Sequence, residues 1–175
     1  MPDRAIALYR QAETSDRAHW DTYRKATVRA LLARKNIAEA QQAFALLDTA
    51  SPDSDDVRLL RAALLVADNR AKDAIPQLQI LIAHNAANCE AMVELARAYS
   101  SVGQQLMAES TLESCLRINP KYLPALREAA RLYAAQNRNF EAEHAARAAL
   151  AIAPRDAEAR AVLENAHAAG AGGTP

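Results

Sequence analysis

The stretch that decides the fold is residues 88–120, which read NCEAMVELARAYSSVGQQLMAESTLESCLRINP. Apolar or small side chains recur in its first half at offsets of three, one and three, and in its second half at offsets of four and three. Such spacings place side chains on one face of a helix. Gly103 separates the halves and Pro120 ends the stretch, so the sequence predicts a helix, a tight turn and a second helix. The periodic positions are Met92, Leu95, Ala96 and Tyr99, then Ala108, Leu112 and Cys115.

The same pattern returns along most of the chain at the interval that separates Pro120 from Pro154. Pro52 lies twice that interval before Pro120, and Ala86 stands at the intermediate position. A fixed period of about 34 residues is typical of a helical array in which each unit packs on its neighbours. An alanine recurs at the same place in each second helix, at Ala40, Ala74, Ala108 and Ala142.

The period also assigns the turns and the helix ends. Asn69 and Asn137 stand where Gly103 does, and asparagine, like glycine, tolerates the left-handed backbone that ends a helix. Each terminal proline stops a second helix, so a capping residue is expected just beyond it. The candidate caps are Asp53, Asn88 and Asp156.

The period, the small-residue positions, the turn residue and the terminal proline together closely resemble the tetratricopeptide repeat. The resemblance implies an all-α fold, a right-handed α-solenoid of antiparallel helix pairs. The first two units depart from the family pattern, because Arg24, Arg58 and Arg61 stand at first-helix positions where apolar or small residues are expected. The resemblance covers residues 19–154 as four full repeats, His19–Pro52, Asp53–Ala86, Ala87–Pro120 and Lys121–Pro154.

The flanks of the array are predicted to be single helices. Residues 1–18 repeat the stripe of a second helix and form an N-terminal half repeat. Residues 155–169 are predicted to form a capping first helix with a polar outer face. Residues 170–175 lack periodicity and are predicted to be disordered. A start on a half repeat is compatible with an N-terminal cap and equally with a fragment of a longer array.

Composition and charge disfavour several classes of protein. The 175 residues include 43 alanines and only 4 glycines, a composition that argues against β architectures. The 21 basic and 21 acidic side chains cancel, and no aromatic and basic platform occurs, so we expect no nucleic-acid binding. No apolar run approaches the roughly 20 residues that span a bilayer, so we expect no membrane insertion. We expect a soluble, bacterial protein, cytoplasmic or, with a missing upstream signal, periplasmic.

The reactive side chains form no pattern that predicts catalysis. Cys89 and Cys115 share the third unit, but an antiparallel helix pair would hold them beyond the disulfide limit of about 7 Å. We expect Cys115 to be buried and inert and Cys89 to be exposed. We therefore expect no enzyme activity, no catalytic residue, no metal and no cofactor. The four histidines are scattered in the repeat layout, at His19, His84, His144 and His167.

The resemblance implies a non-catalytic scaffold or adaptor that holds a partner peptide or helix in a concave groove lined by first helices. An acidic partner would suit Arg97, Arg127 and Arg131 if their guanidinium groups converge. The alternative is that Glu94 and Glu128 pair with these arginines at helical i,i+3 spacing. The groove positions carried over from the family are Lys25, Arg29, Leu59, Ala63, Val66, Val93, Arg97, Arg127 and Arg131.

Two other classes of function remain open from the sequence. The chain could be the recognition module of a longer enzyme, such as a glycosyl- or sulfotransferase. It could also be a self-assembling structural protein, in which case it would form homo-oligomers.

Overall fold

The chain is α-helical throughout the part that the structure describes. The structure is a computed structural model that describes residues 2–171, with side chains for residues 4–168. Within this range it contains ten α-helices, one 3-10 helix (Arg17–His19) and no strand, which confirms the all-α class. The α-helices are α1 (Pro2–Ser15), α2 (Trp20–Ala33), α3 (Ile37–Ala50), α4 (Asp55–Ala67), α5 (Ala71–His84), α6 (Cys89–Ser101), α7 (Gln105–Ile118), α8 (Leu123–Ala135), α9 (Asn139–Ile152) and α10 (Ala157–Ala171).

The helices pack as pairs in two compact units, one ending at His84 and the other beginning at Asn85. In the first unit α2 packs on α3 and α4 on α5, with α1 against α2. In the second unit α6 packs on α7 and α8 on α9, with α10 against α9. Successive first helices also touch within each unit, α2 with α4, α6 with α8, and α8 with α10. The predicted class of stacked antiparallel helix pairs is confirmed.

The turns inside the helix pairs repeat with the period of the sequence. Gly103, Asn69 and Asn137 have positive φ angles of 80°, 60° and 58°, as their residue types indicated. Lys35, with φ of 58°, occupies the fourth equivalent position, although lysine carries no sequence signal for this backbone. Successive positions are separated by one repeat length, so the same turn geometry recurs in all four predicted repeats.

Two of the three candidate helix caps are confirmed. The Asn88 side chain accepts a hydrogen bond from the backbone N–H of Ala91 at 3.0 Å, at the start of α6. Asp156 accepts one from Ala159 at 2.9 Å, at the start of α10. The expectation for Asp53 is wrong, because its carboxylate instead accepts a hydrogen bond from Arg58 at 2.8 Å.

The recurrent small residues lie in the interior of the helix pairs. Ala40, Ala74, Ala108 and Ala142 are all 0% exposed, so each occupies the close contact between packed helices. The residues four and seven positions later are buried as well, for example Phe44 and Leu47 in α3. The predicted second-helix stripe is therefore confirmed as the core-facing side of α3, α5, α7 and α9.

Carboxylates accommodate the arginines that depart from the repeat pattern. Arg24 Nε lies 2.8 Å from Glu13, and Arg61 Nε lies 3.0 Å from Asp48, each on a neighbouring helix. Each guanidinium is only partly exposed, and its paired acid stabilises the charge. These first-helix positions therefore hold ion pairs where the family pattern places apolar or small side chains.

The flanking segments correspond to single helices. Helix α1 and the 3-10 helix lie within or beside the predicted half repeat of residues 1–18. Helix α10 lies where a capping helix was expected at residues 155–169, and it continues to Ala171. Of the tail predicted to be disordered, residues 172–175 lie outside the described residues. The assignment of these segments as caps stays a prediction.

Candidate functional site

The predicted contact residues of the first unit lie on α2 and α4, which pack side by side. The Lys25 ammonium lies 3.0 Å from Asp56 on α4 and 3.2 Å from Asp21 on its own helix. Burial opposes the lysine charge, but the hydrogen bonds to both carboxylates outweigh it and raise the pKa of Lys25. The hydrogen bond from Lys25 likewise lowers the pKa of Asp21. Lys25 is thus an ion-paired residue that links α2 to α4.

Two predicted contact residues are not available to a partner. Leu59 is 4% exposed and Val93 is 2% exposed, so both side chains belong to the interior. The expected groove role of Leu59 and Val93 is therefore wrong. Ala63 and Val66 remain partly exposed on α4, as does Arg29 on α2.

The second unit holds a network of four charged side chains on α6 and α8, which we call the Glu–Arg network: Glu94, Arg97, Glu128 and Arg131. Arg97 donates to Glu94 at 2.7 Å on its own helix and to Glu128 at 3.0 Å on the next first helix. Arg131 donates to the other oxygen of Glu128. The Glu128 side chain is only 5% exposed, whereas those of Arg97 and Arg131 are 41% and 54% exposed. A buried carboxylate thus anchors two guanidinium groups that reach the surface.

Burial controls the electrostatics of the network. Removal from water raises the pKa of Glu94, and the charge of Arg97 opposes this shift. Burial also opposes the charge of Arg97, but Glu94 and Glu128 outweigh it and raise the pKa of the guanidinium further. Arg97 is therefore held in its charged form between two acids.

Arg127 lies apart from this network. Its Nε is 2.6 Å from an oxygen of Asp156, the residue that caps α10, and the Asp156 side chain is 4% exposed. The contact joins α8 to the start of α10. The three arginines therefore do not converge on one open point, and each faces a carboxylate of the chain itself, as the alternative interpretation held for Arg97 and Arg131.

The period contains a signal for the network that inspection of a single helix misses. Glu94 and Glu128 are separated by one repeat length, and so are Arg97 and Arg131. The same Glu-x-x-Arg pair thus occurs in successive first helices, and neighbouring pairs can exchange partners across the helices. The contribution of Asp156 could not be predicted in this way, because it depends on where α10 begins.

The first unit contains a separate polar cleft with a volume of about 360 Å³. Its walls include the ion pairs of Arg10 with Glu39 and of Arg24 with Glu13. Thr27 also lines it, but its hydroxyl donates to the Tyr23 carbonyl at 2.9 Å. The charged groups of the cleft are therefore occupied by one another.

Two features that would indicate other functions are absent from the described residues. Across that part of the chain, His, Cys, Asp and Glu side chains form no group of three or more that could hold a metal ion. None of the described helices combines the length and the apolar character needed to cross a membrane.

The geometry defines a protein built from repeated helix pairs, with charged first-helix faces. The tetratricopeptide repeat family model matches residues 90–122, which contain most of α6 and all of α7. The matched segment thus corresponds to the third predicted repeat, Ala87–Pro120, and the chain has the fold of tetratricopeptide-repeat proteins. No curated protein sequence matches the chain significantly.

Solved structures of tetratricopeptide-repeat proteins share this fold over nearly the whole chain. TTC0263, a thermophilic TPR protein in Thermus thermophilus, is 19% identical with a TM-score of 0.77, over 95% of this chain and 91% of that one. PilW, a type IV pilus biogenesis factor, is 20% identical with a TM-score of 0.65, over 96% and 81%. YrrB, described as having an unusual peptide-binding site, is 21% identical with a TM-score of 0.59, over 93% and 84%. At these identities the likeness concerns the fold.

Proposed function

We propose that the chain is a non-catalytic scaffold that binds a protein or peptide partner on the first-helix face of its second unit. The observation that supports this most directly is the Glu–Arg network. Glu128 fixes two guanidinium groups on adjacent helices, and both remain about half exposed. Charged groups that are already held in position lose less side-chain entropy when a partner binds, and this favours binding.

The fold adds support of a general kind. The similar protein YrrB carries a peptide-binding site according to its description. In the second unit of this chain, α6, α8 and α10 contact one another in succession and form one layer, with α7 and α9 as the other helices. A peptide lying across this layer would contact several first helices at once.

An acidic partner is the narrower form of the proposal. A guanidinium carries five N–H donors, and Arg131 uses only its bond to Glu128 among the contacts described above. The outer donors of Arg131 can therefore meet a carboxylate of the partner while the inner donor stays on Glu128. Such charge-assisted hydrogen bonds are stronger than neutral ones.

The test uses peptides selected from a random display library on the immobilised chain. Binding of the selected peptides is measured by fluorescence polarisation for the native chain, Arg131→Ala and Arg147→Ala. Arg147 on α9 is a matched control, because its side chain is 63% exposed and also pairs with a glutamate of its own helix. We expect Arg131→Ala to weaken binding about tenfold, or about 1.4 kcal/mol, and Arg147→Ala to leave it unchanged.

Two results would contradict the proposal. One is a selection that yields no peptide with measurable affinity, and the other is equal binding by the native chain and Arg131→Ala. The acidic form is tested separately by replacing the acidic residues of a selected peptide with their amides. Unchanged affinity after that replacement would refute an acidic partner without refuting the scaffold.

A further inference from the structure

The two cysteines of the chain lie against each other inside the second unit. The Cys89 thiol is 3.5 Å from the carbonyl oxygen of Cys115, and the Cys115 thiol is 3.9 Å from the carbonyl oxygen of Cys89. These reciprocal contacts require the backbones at the start of α6 and near the end of α7 to approach closely. The two cysteines are therefore in contact, although the helix-to-helix spacing alone had suggested that they lie apart.

The exposure expected for Cys89 is also wrong, because both cysteines are buried. Cys89 is 9% exposed and Cys115 is 0% exposed, so Cys89 is the thiol that an oxidant reaches first. Burial, together with a hydrogen bond and charge repulsion from Cys89, raises the pKa of Cys115 to about 12. Both groups are free thiols in the structure.

We propose that Cys89 and Cys115 form a dithiol site that closes reversibly to an intramolecular disulfide under a disulfide oxidant. The proposal rests on the reciprocal contacts of the two residues and does not depend on the function proposed above. A disulfide needs Cα atoms about 4.4–6.8 Å apart, an approach that two residues in mutual sulfur-to-carbonyl contact can reach with little backbone movement.

The reaction is two successive thiol–disulfide exchanges. Cys89 loses its proton, and its sulfur attacks one sulfur of the oxidant, forming a mixed disulfide and releasing the first thiolate, which takes up a proton. Cys115 then loses its proton and attacks the Cys89 sulfur, forming the internal bond and releasing the second thiolate. The two cysteine sulfurs lose two electrons, and the disulfide oxidant gains them. The high pKa of Cys115 lowers the fraction of its thiolate and so slows the second exchange.

The internal bond would tie the start of α6 to the end of α7. The two residues are 26 positions apart, so the bond would close a loop that contains the whole turn at Gly103. Restricting the unfolded chain in this way favours the folded state.

The test treats the full reduced chain with oxidised glutathione, blocks remaining thiols with iodoacetamide and measures the intact mass. We expect loss of both alkylation sites, a mass lower by two hydrogen atoms and no bound glutathione. Digestion with trypsin should yield the peptides Asp73–Arg97 and Ala98–Arg117 joined by a bond that dithiothreitol breaks. The oxidised chain should melt at a higher temperature and keep its helical circular dichroism signal.

The variant Cys115→Ala separates the two exchange steps. The equivalent position of the next repeat holds Ala149, which is 0% exposed, so alanine fits at this site. In this variant we expect glutathione to stay on Cys89, because no second thiol displaces it. We also expect no rise in melting temperature on oxidation, because no internal bond can form.

Three outcomes would overturn the proposal. The first is a native chain in which both thiols remain alkylatable after oxidation. The second is oxidation that gives only glutathione adducts or bonds between chains. The third is an internal bond that forms only with loss of the helical signal, since the folded geometry would then not support it.

Discussion

Replacing Glu128 by glutamine removes the charge that joins two first helices of the second unit. The carboxylate accepts from Arg97 at 3.0 Å and from Arg131 through its other oxygen, and its side chain is only 5% exposed. The amide keeps the shape of the side chain but can accept through one oxygen only. One guanidinium therefore loses its partner on α8, and the other keeps a neutral hydrogen bond in place of a charge-assisted one.

The size of the effect follows from the exposure of the partners. Breaking a fully buried ion pair costs about 3–5 kcal/mol, because it leaves an uncompensated charge in the interior. Here the side chains of Arg97 and Arg131 are 41% and 54% exposed, so their guanidinium groups can turn to water, and Arg97 retains Glu94. The expected loss of unfolding free energy is therefore smaller, about 1.5–3 kcal/mol, the range for a hydrogen bond to a charged group.

The measurement is urea unfolding followed by far-ultraviolet circular dichroism, with Glu143→Gln as the control. Glu143 pairs with Arg147 on the same helix and lies 3.2 Å from His167 on α10, and the three side chains are 26%, 63% and 52% exposed. An exposed pair of this kind contributes at most about 0.5 kcal/mol. If Glu128→Gln destabilised the chain no more than Glu143→Gln does, the network would not be holding α6 to α8, and the reasoning would fail.

Three further predictions concern pH, packing and the turn. Burial raises the folded-state pKa of Glu94 above its ordinary 4.5, so the folded chain binds this proton more tightly than the unfolded chain. In urea titrations at several pH values, the native chain should lose stability relative to Glu94→Gln as pH rises above 4.5. If the stabilities of the two proteins changed equally with pH, this expectation would be contradicted. Ala142→Leu should overpack α9 and cost about 1–3 kcal/mol in thermal melts, whereas Ala151→Leu on its exposed side should cost little. At Gly103, with φ of 80°, valine should cost about 1–2 kcal/mol more than asparagine in urea unfolding, and equal losses would argue against the left-handed turn.

Much of the fold was predictable because it depends on spacing along one helix. The recurrence of Ala40 and its equivalents predicted which side of each second helix is buried, and glycine or asparagine predicted three of the four turns. Lys35 was missed, because lysine has no preference for the left-handed backbone that this position of the repeat adopts. The helix caps were also predicted only in part. Asn88 and Asp156 cap their helices, whereas Asp53 accepts a hydrogen bond from the Arg58 side chain and not from a backbone N–H.

The candidate site was less predictable. The i,i+3 pairs of Glu94 with Arg97 and of Glu128 with Arg131 follow from the sequence. The equal numbers of acidic and basic side chains in the whole chain can also be counted from it. The burial of Leu59 and Val93 does not, because it depends on how far each first helix is rotated about its axis.

The sequence by itself determined the repeat length, the helix pairs, their turns and the small residues at their contacts, all of which depend on residues within one repeat. The tertiary structure alone decided that Arg97 reaches Glu128, that Arg127 meets Asp156 and that Cys89 lies against Cys115. Each of these contacts joins two helices, and each requires a particular axial offset and rotation between them. Helical periodicity records which face a residue occupies, but it carries no information about the neighbour that the face will meet.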